Sequence, residues 1–186
     1  METNPKKTVV YFSTCCRYDP EESDSIYGLH KKQIETLIQN ECSNYHIFRV
    51  SHLAGKSDNQ NTILNFFVQH VCKKINFDLW KNATRNLIDI DDMYTIANHI
   101  LQNQLFSNQI TNIASPFNYS VDKIVATIEK YSGVKANYTS INKGVAFKID
   151  ISAIESIIQN LQIEFGEDYL DKMIKKYYTP ELVKLI

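Results

Sequence analysis

Val9-Val10-Tyr11-Phe12-Ser13-Thr14, followed one loop later by Ser25-Ile26-Tyr27-Gly28-Leu29-His30-Lys31-Lys32-Gln33-Ile34-Glu35, is the stretch on which the reading of this chain turns. The first run is short, apolar and β-branched, which predicts a buried strand over Thr8–Ser13. The second has helical spacing and predicts a helix over Ser25–Asn40, with Ile26, Ile34, Leu37 and Ile38 supplying much of its apolar stripe. Residues four apart share a helix face, so Tyr27 and Lys31 can aim at one place. A hydroxyl at the strand end, Thr14, together with a phenol and an ammonium, then forms a proton-transfer device.

Outward from this stretch, strands and helices alternate. Tyr45–Val50 reads as a second strand, Asn61–Lys74 as a helix, and Phe77–Trp80 as a short extended piece. Arg85–Ile90 alternates like a strand, and Asp91-Asp92 offer a cap and a negative first turn to a helix through Leu105. Ile110–Ala114 is another short strand. Ser120 caps a helix to about Ser132, and Ile149–Gln159 and Phe165–Tyr178 close the chain as helices. This order predicts an α/β fold, a truncated Rossmann-like, mostly parallel sheet with flanking helices and a small C-terminal helical part. We expect a single domain over 1–186, with the Rossmann-like part at about 1–115 and the C-terminal part at about 116–186.

The 186 residues suffice for one domain with a real core. A net charge of −1 gives no electrostatic grip on nucleic acid or an anionic membrane surface. No apolar run approaches the roughly 20 residues of a membrane span, and the start lacks an apolar signal core; the expected compartment is the cytosol. Cys15, Cys16, Cys42 and Cys72 match no metal-knuckle spacing and are expected as buried free thiols. The five glycines, Gly28, Gly55, Gly133, Gly144 and Gly166, are scattered, so the sequence has no phosphate-cradling G-x-G-x-x-G loop. Trp80, Phe66, Phe67 and Phe77 read as core, and Lys172, Lys175 and Lys176 as a solvated face.

Several motifs, in order, resemble one family. Phe12-Ser13-Thr14-Cys15-Cys16-Arg17-Tyr18 is similar to a strand ending in a catalytic Ser or Thr. Tyr27-Gly28-Leu29-His30-Lys31 is a Tyr-x-x-x-Lys motif, and Glu35 follows at a familiar offset. Phe48-Arg49-Val50-Ser51-His52-Leu53-Ala54-Gly55 resembles Arg-x-x-Asn-x-x-Gly, Thr84–Asp92 resembles Arg-Asp-Phe-Ile-x-Val-Asp-Asp, and Thr111–Ser115 resembles the Asn-Ile strand that follows. Together they resemble the C-terminal part of an extended short-chain dehydrogenase/reductase of the NAD-dependent nucleotide-sugar epimerase/dehydratase type. The resemblance implies Thr14 as hydroxyl donor, Tyr27 as acid/base, and Lys31 as the charge that favours the phenolate and the residue that holds the nicotinamide ribose. It implies Arg85 on a substrate diphosphate, where a planar fork suits two oxygens, His52 at a substrate-phosphate position, and NAD or NADP as cofactor. Without the resemblance, the same residues read first as a strand end, a packed ring and a solvated lysine, and Arg85 as a salt-bridge partner.

The sequence also departs from this pattern. Nothing in it corresponds to the Gly-rich dinucleotide-binding half, so NAD binding by this chain alone is not expected. His52 stands where the family often has asparagine, and Cys15-Cys16 where its dehydratases often carry an acidic pair, which favours epimerisation or reduction over dehydration. The Val9–Ser13 strand would form an apolar sheet edge. A homo-oligomer or a partner chain is expected to cover it. Two functions follow: an epimerase/dehydratase-like protein inactive alone, or a non-catalytic binding or assembly protein derived from that fold and holding a nucleotide sugar.

Overall fold

A computed structural model describes residues 7–179. In chain order they form β1 (Val9–Thr14), a 3-10 turn (Cys15–Tyr18), α1 (Ile26–Glu41), β2 (Tyr45–Val50), β3 (His52–Ala54) and α2 (Ile63–Cys72). There follow β4 (Phe77–Trp80), β5 (Thr84–Asp89), α3 (Ile90–Gln102), β6 (Gln109–Ile113), β7 (Asn118–Ser120), α4 (Val121–Ser132) and β8 (Tyr138–Ile141). A second 3-10 turn (Ser152–Ile154), α5 (Glu155–Asn160) and α6 (Tyr169–Tyr177) complete the order. These residues make two compact units, each assembled from three separate stretches. The first takes 7–51, 91–116 and 147–163, and the second takes 52–90, 117–146 and 164–179.

The first unit is built on an all-parallel sheet in the order β1-β2-β6, with Val9 opposite Tyr45 and His46 opposite Gln109. β2 is the middle strand, and Tyr45, His46, Ile47 and Phe48 are buried in succession, as a strand covered on both faces requires. Ile34 and Ile38 of α1 pack with Tyr11, Tyr45, Ile47 and Ile110 on one face. Ile26 and Leu37 do not join them. Ile26 begins the helix and is exposed, and Leu37 is turned away from Ile38 by one residue's rotation and is also exposed. Ser25 caps α1 by accepting the Gly28 N–H at 3.0 Å. The helix start lies so close to the preceding loop that a β-carbon on Gly28 would sit 2.7 Å from the Ser23 carbonyl oxygen.

The second unit carries two sheets. β3 and β5 are parallel, β7 runs antiparallel beside β5, and β4 pairs with β8 in parallel. Its core joins Leu64, Phe67, Val68 and Val71 of α2 to Ile124, Val125 and Ile128 of α4 and to Leu170, Met173 and Ile174 of α6. Ser120 caps α4 as expected, and Gly133 ends it in the left-handed conformation at φ +70°. Phe67 and Phe77 are core, Phe66 packs against them, and Trp80 is half-buried under the Lys143 ammonium at 3.9 Å. Lys172, Lys175 and Lys176 are exposed as expected, and Lys176 in addition makes an ion pair. Its ammonium lies 3.0 and 3.2 Å from the two carboxylate oxygens of buried Asp89, which also accepts the Tyr177 hydroxyl at 2.6 Å. The Asp89 N–H donates to the Tyr169 hydroxyl, so three side chains of α6 close on the end of β5. The sheets are thus mostly parallel as expected, divided into short ladders, and β3, β7 and β8 are strands the sequence reading left out.

Candidate active site

Thr14, the last residue of β1, accepts the Cys16 N–H on its hydroxyl oxygen at 3.1 Å, which caps the 3-10 turn. Its hydroxyl proton remains available to a second acceptor. Tyr27 stands in the first turn of α1 with 57% of its surface exposed. One turn on, the Lys31 ammonium lies 5.7 Å from the Tyr27 ring centre and 4.8 Å from that of Tyr11. It donates to the Phe12 carbonyl at 2.9 Å, two residues before Thr14. The expected convergence of the phenol and the ammonium on one helix face is present, and the lysine reaches the strand that carries the threonine.

One turn beyond Lys31, Glu35 is buried and anchors this face. It accepts hydrogen bonds from Ser13 of β1 and from two nitrogens of Arg49 on β2, at 2.9 and 2.6 Å, with Arg17 at 3.4 Å. Arg49 also donates to the Tyr18 hydroxyl at 3.0 Å. Tyr18 donates in turn to the Asn112 amide oxygen on β6, and the Asn112 amide donates to the Asp150 carbonyl. Burial pushes the Glu35 carboxyl upward. The hydrogen bonds from Arg49 and Ser13 and the charges of Arg49 and Arg17 outweigh it and hold the group below the usual carboxylate range. Arg49 is held above its ordinary value in the same way, burial being outweighed by Glu35 and Tyr18. The pair therefore stays ionised, and its two-point geometry fixes the rotation of α1 over β1.

In the sequence, Glu35 and Arg49 stand out only as parts of motifs. The signal for their pairing was a charged residue inside the otherwise apolar run Tyr-His-Ile-Phe-Arg-Val, and a glutamate three residues before Ile38 on the inward stripe. Burial pushes the Cys15 thiol up to about 12, and it donates to the Arg49 carbonyl, which suits a structural thiol and not a reactive one. Cys16 and Cys72 are likewise buried and free, while Cys42 is free but half-buried.

In the second unit, Arg85 is buried on β5 opposite Tyr119 of β7, and its guanidinium donates to the Thr84 carbonyl at 2.9 Å. His52 opens β3 opposite Leu87 and is half-buried. Asp91 and Asp92 lie in the first turn of α3, where negative charge suits the helix dipole. Among the described residues, no three His, Cys, Asp or Glu side chains gather as metal ligands, and no helix is long and apolar enough to cross a membrane.

β1, α1 and the parallel sheet of the first unit fall largely within a stretch that a family model matches. Residues 1–114 match the model of the NAD dependent epimerase/dehydratase family. The chain belongs to this family. Comparison with curated proteins returned no match. Among solved structures, UDP-glucuronic acid 4-epimerase from Bacillus cereus, in complex with UDP-glucuronic acid and NAD, is similar over 97% of this chain and 62% of its own, with 15% identity and a TM-score of 0.73. The dTDP-glucose 4,6-dehydratase of Bacillus anthracis, in complex with NAD, is similar over 96% of this chain and 65% of its own, with 14% identity and a TM-score of 0.69. UDP-glucose 4-epimerase from Thermotoga maritima, with UDP-glucose, matches over 81% and 56%, with 15% identity and a TM-score of 0.63. These likenesses show a shared Rossmann-like α/β fold. The chain spans under two thirds of the length of each of these family structures.

Proposed function

We propose that this chain carries the catalytic and substrate-binding part of a nucleotide-sugar epimerase or dehydratase, inactive until a Gly-rich dinucleotide-binding half pairs with the open edge of β1. The observation that carries the reading is the Tyr27/Lys31 face of α1, held over β1 by the Lys31 bond to the carbonyl of Phe12, two residues before Thr14. Tyr27 moves a proton at the sugar hydroxyl that is oxidised and returned, and Thr14 donates a hydrogen bond to the same oxygen. The Lys31 ammonium stands beside this phenol, 5.7 Å from its ring centre. Arg85 pairs with diphosphate oxygens through its planar fork, and His52 donates to a phosphate oxygen. A cytosolic setting agrees with four free thiols.

The residues fit the cofactor in part. Exposed Tyr27 and neighbouring Lys31 suit the nicotinamide ribose. No glycine-rich turn offers backbone amides to the pyrophosphate, since Gly28 is packed against loop carbonyls and the other glycines are scattered. When bound, NAD takes up and returns hydride at the sugar carbon, and the chain's own part is the positioning and proton transfer above.

One observation favours the non-catalytic reading: the Lys31 ammonium and the Thr14 oxygen are both engaged by backbone groups. Titration calorimetry with UDP-glucuronic acid, dTDP-glucose and NAD separates the readings. Binding of a nucleotide sugar weakened about tenfold by Arg85→Met, with no heat from NAD, supports the proposal. Absence of any nucleotide-sugar binding leaves the non-catalytic reading, and micromolar NAD binding by this chain removes the requirement for a second half.

A further inference from the structure

We infer that Tyr18 is a positioning residue whose hydroxyl fixes where Thr14 stands relative to the Tyr27/Lys31 helix; the use of that placement in catalysis rests on the function proposed above. Arg49 forms the joint. Each of the three nitrogens of its guanidinium has a partner. Nε and Nη2 donate to the Glu35 carboxylate of α1 at 2.9 and 2.6 Å, and Nη1 donates to the Tyr18 hydroxyl at 3.0 Å. A guanidinium is planar and rigid, so its two bonds to Glu35 set the direction of the third. One side chain thus joins the helix that carries Tyr27 and Lys31 to the turn that follows Thr14.

Tyr18 is the last residue of that 3-10 turn, and Thr14 is its cap. Arg49 holds the turn at both ends. At the start the Cys15 thiol donates to the Arg49 carbonyl at 3.2 Å, and at the finish Tyr18 accepts from the guanidinium. Between these points the Thr14 oxygen accepts the Cys16 N–H at 3.1 Å, so a turn that slips at Tyr18 strains the bond at Thr14. A phenol hydroxyl has a single proton. With Arg49 donating to its oxygen, Tyr18 gives that proton to the Asn112 amide oxygen on β6 at 3.0 Å, and Asn112 donates to the Asp150 carbonyl at 2.8 Å. The chain of bonds through Tyr18 therefore touches all three stretches that make up the first unit. The Tyr18 ring lies 5.9 Å from the Arg49 guanidinium carbon, a contact that a phenylalanine would keep. The hydroxyl alone carries the direction.

The test is amide hydrogen exchange by NMR on the full chain, with Tyr18→Phe, which removes the hydroxyl and keeps the ring. Exchange of the Cys16 amide, whose acceptor is Thr14, is expected to rise about fivefold, the worth of one hydrogen bond, while the amides of β2 and β6 exchange as in wild type. Asn112→Ala cuts the bond to β6, spares the one to Arg49, and is expected to leave Cys16 unchanged. Titration calorimetry with UDP-glucuronic acid adds a readout that packing alone would not move. Tyr18→Phe and Thr14→Val are each expected to weaken binding about fivefold, and the double variant no more than either alone, because both act through one hydroxyl. The inference is overturned by Cys16 exchange that stays at the wild-type rate, that rises together with the whole sheet, or that rises as much in Asn112→Ala. It is equally overturned by additive losses in the double variant. If wild type takes up no nucleotide sugar, the proposed function falls, and the exchange rates alone decide the role of Tyr18.

Discussion

Glu35 is the residue on which the geometry of the site rests, because it ties α1 to β1 through Ser13 and to β2 through Arg49. Replacing it with glutamine leaves a buried guanidinium facing a neutral amide. Loss of one partner of such a pair costs about 3 kcal/mol, and a fall of that size in the urea-unfolding free energy of Glu35→Gln is expected. The pH dependence has a definite sign. The folded-state carboxyl titrates below its unfolded value, so its stabilisation is complete above the unfolded value and is lost as pH falls through the folded one. Thermal melts should therefore show wild type declining below about pH 4.4, with the gap to Glu35→Gln narrowing there and constant near neutrality. Tyr27→Phe, at an exposed ring, should leave the melt unchanged and abolish turnover once a complementary half is supplied. The Tyr27/Lys31 pair was legible because a helix fixes what four residues apart means. The Glu35–Arg49 pair was not, because it joins a helix to a strand through a contact that only the folded sheet defines.

At the scale of elements, the start of α1 and the seat of α6 make separate predictions. A β-carbon at Gly28 would meet the backbone of Ser23 and Glu22 at 2.7 and 2.9 Å, so the loop and the first turn must part. Gly28→Ala is expected to destabilise by about 1–3 kcal/mol, read by denaturant unfolding, despite alanine's better helix propensity. Asp89 holds α6 by Lys176 and Tyr177, and burial with the Asp89 hydrogen bond pushes the Tyr177 phenol up to about 12. Asp89→Asn should speed amide exchange across Tyr169–Tyr177 more than across α4. The long periodic elements, α1, α2 and α4, and the apolar strands β1 and β2 were legible from residue pattern. The three short strands were not. β3 and β7 have three residues each, and β8 is a largely exposed Tyr-Thr-Ser-Ile whose partner, β4, lies some sixty positions earlier. Such pairing leaves no local period to read.

For the whole molecule, the interleaving of the two units governs what a truncation does. A chain ended after Ile163 contains every stretch of the first unit and none of α6. It lacks Leu170, Met173 and Ile174, which are core in the second unit, and the α6 side chains Tyr169, Lys176 and Tyr177 that meet Asp89. Heteronuclear NMR of this truncation should retain dispersed signals from β1, β2 and β6 and lose those of α2 and α4. The α/β class was legible from the alternation of elements, whereas the division into units was not, since both consist of similar helices and strands and the chain passes between them five times.

The same interleaving bears on how the protein is made. A ribosome releases a chain from its N-terminus, and domains commonly fold as they emerge. Here β1, α1 and β2 leave the tunnel before the stretch at 147–163 that belongs to the same unit, and the second unit waits for α6. Until those stretches emerge, the apolar strand at Val9–Thr14 stands in the nascent chain as a surface for chaperones to hold.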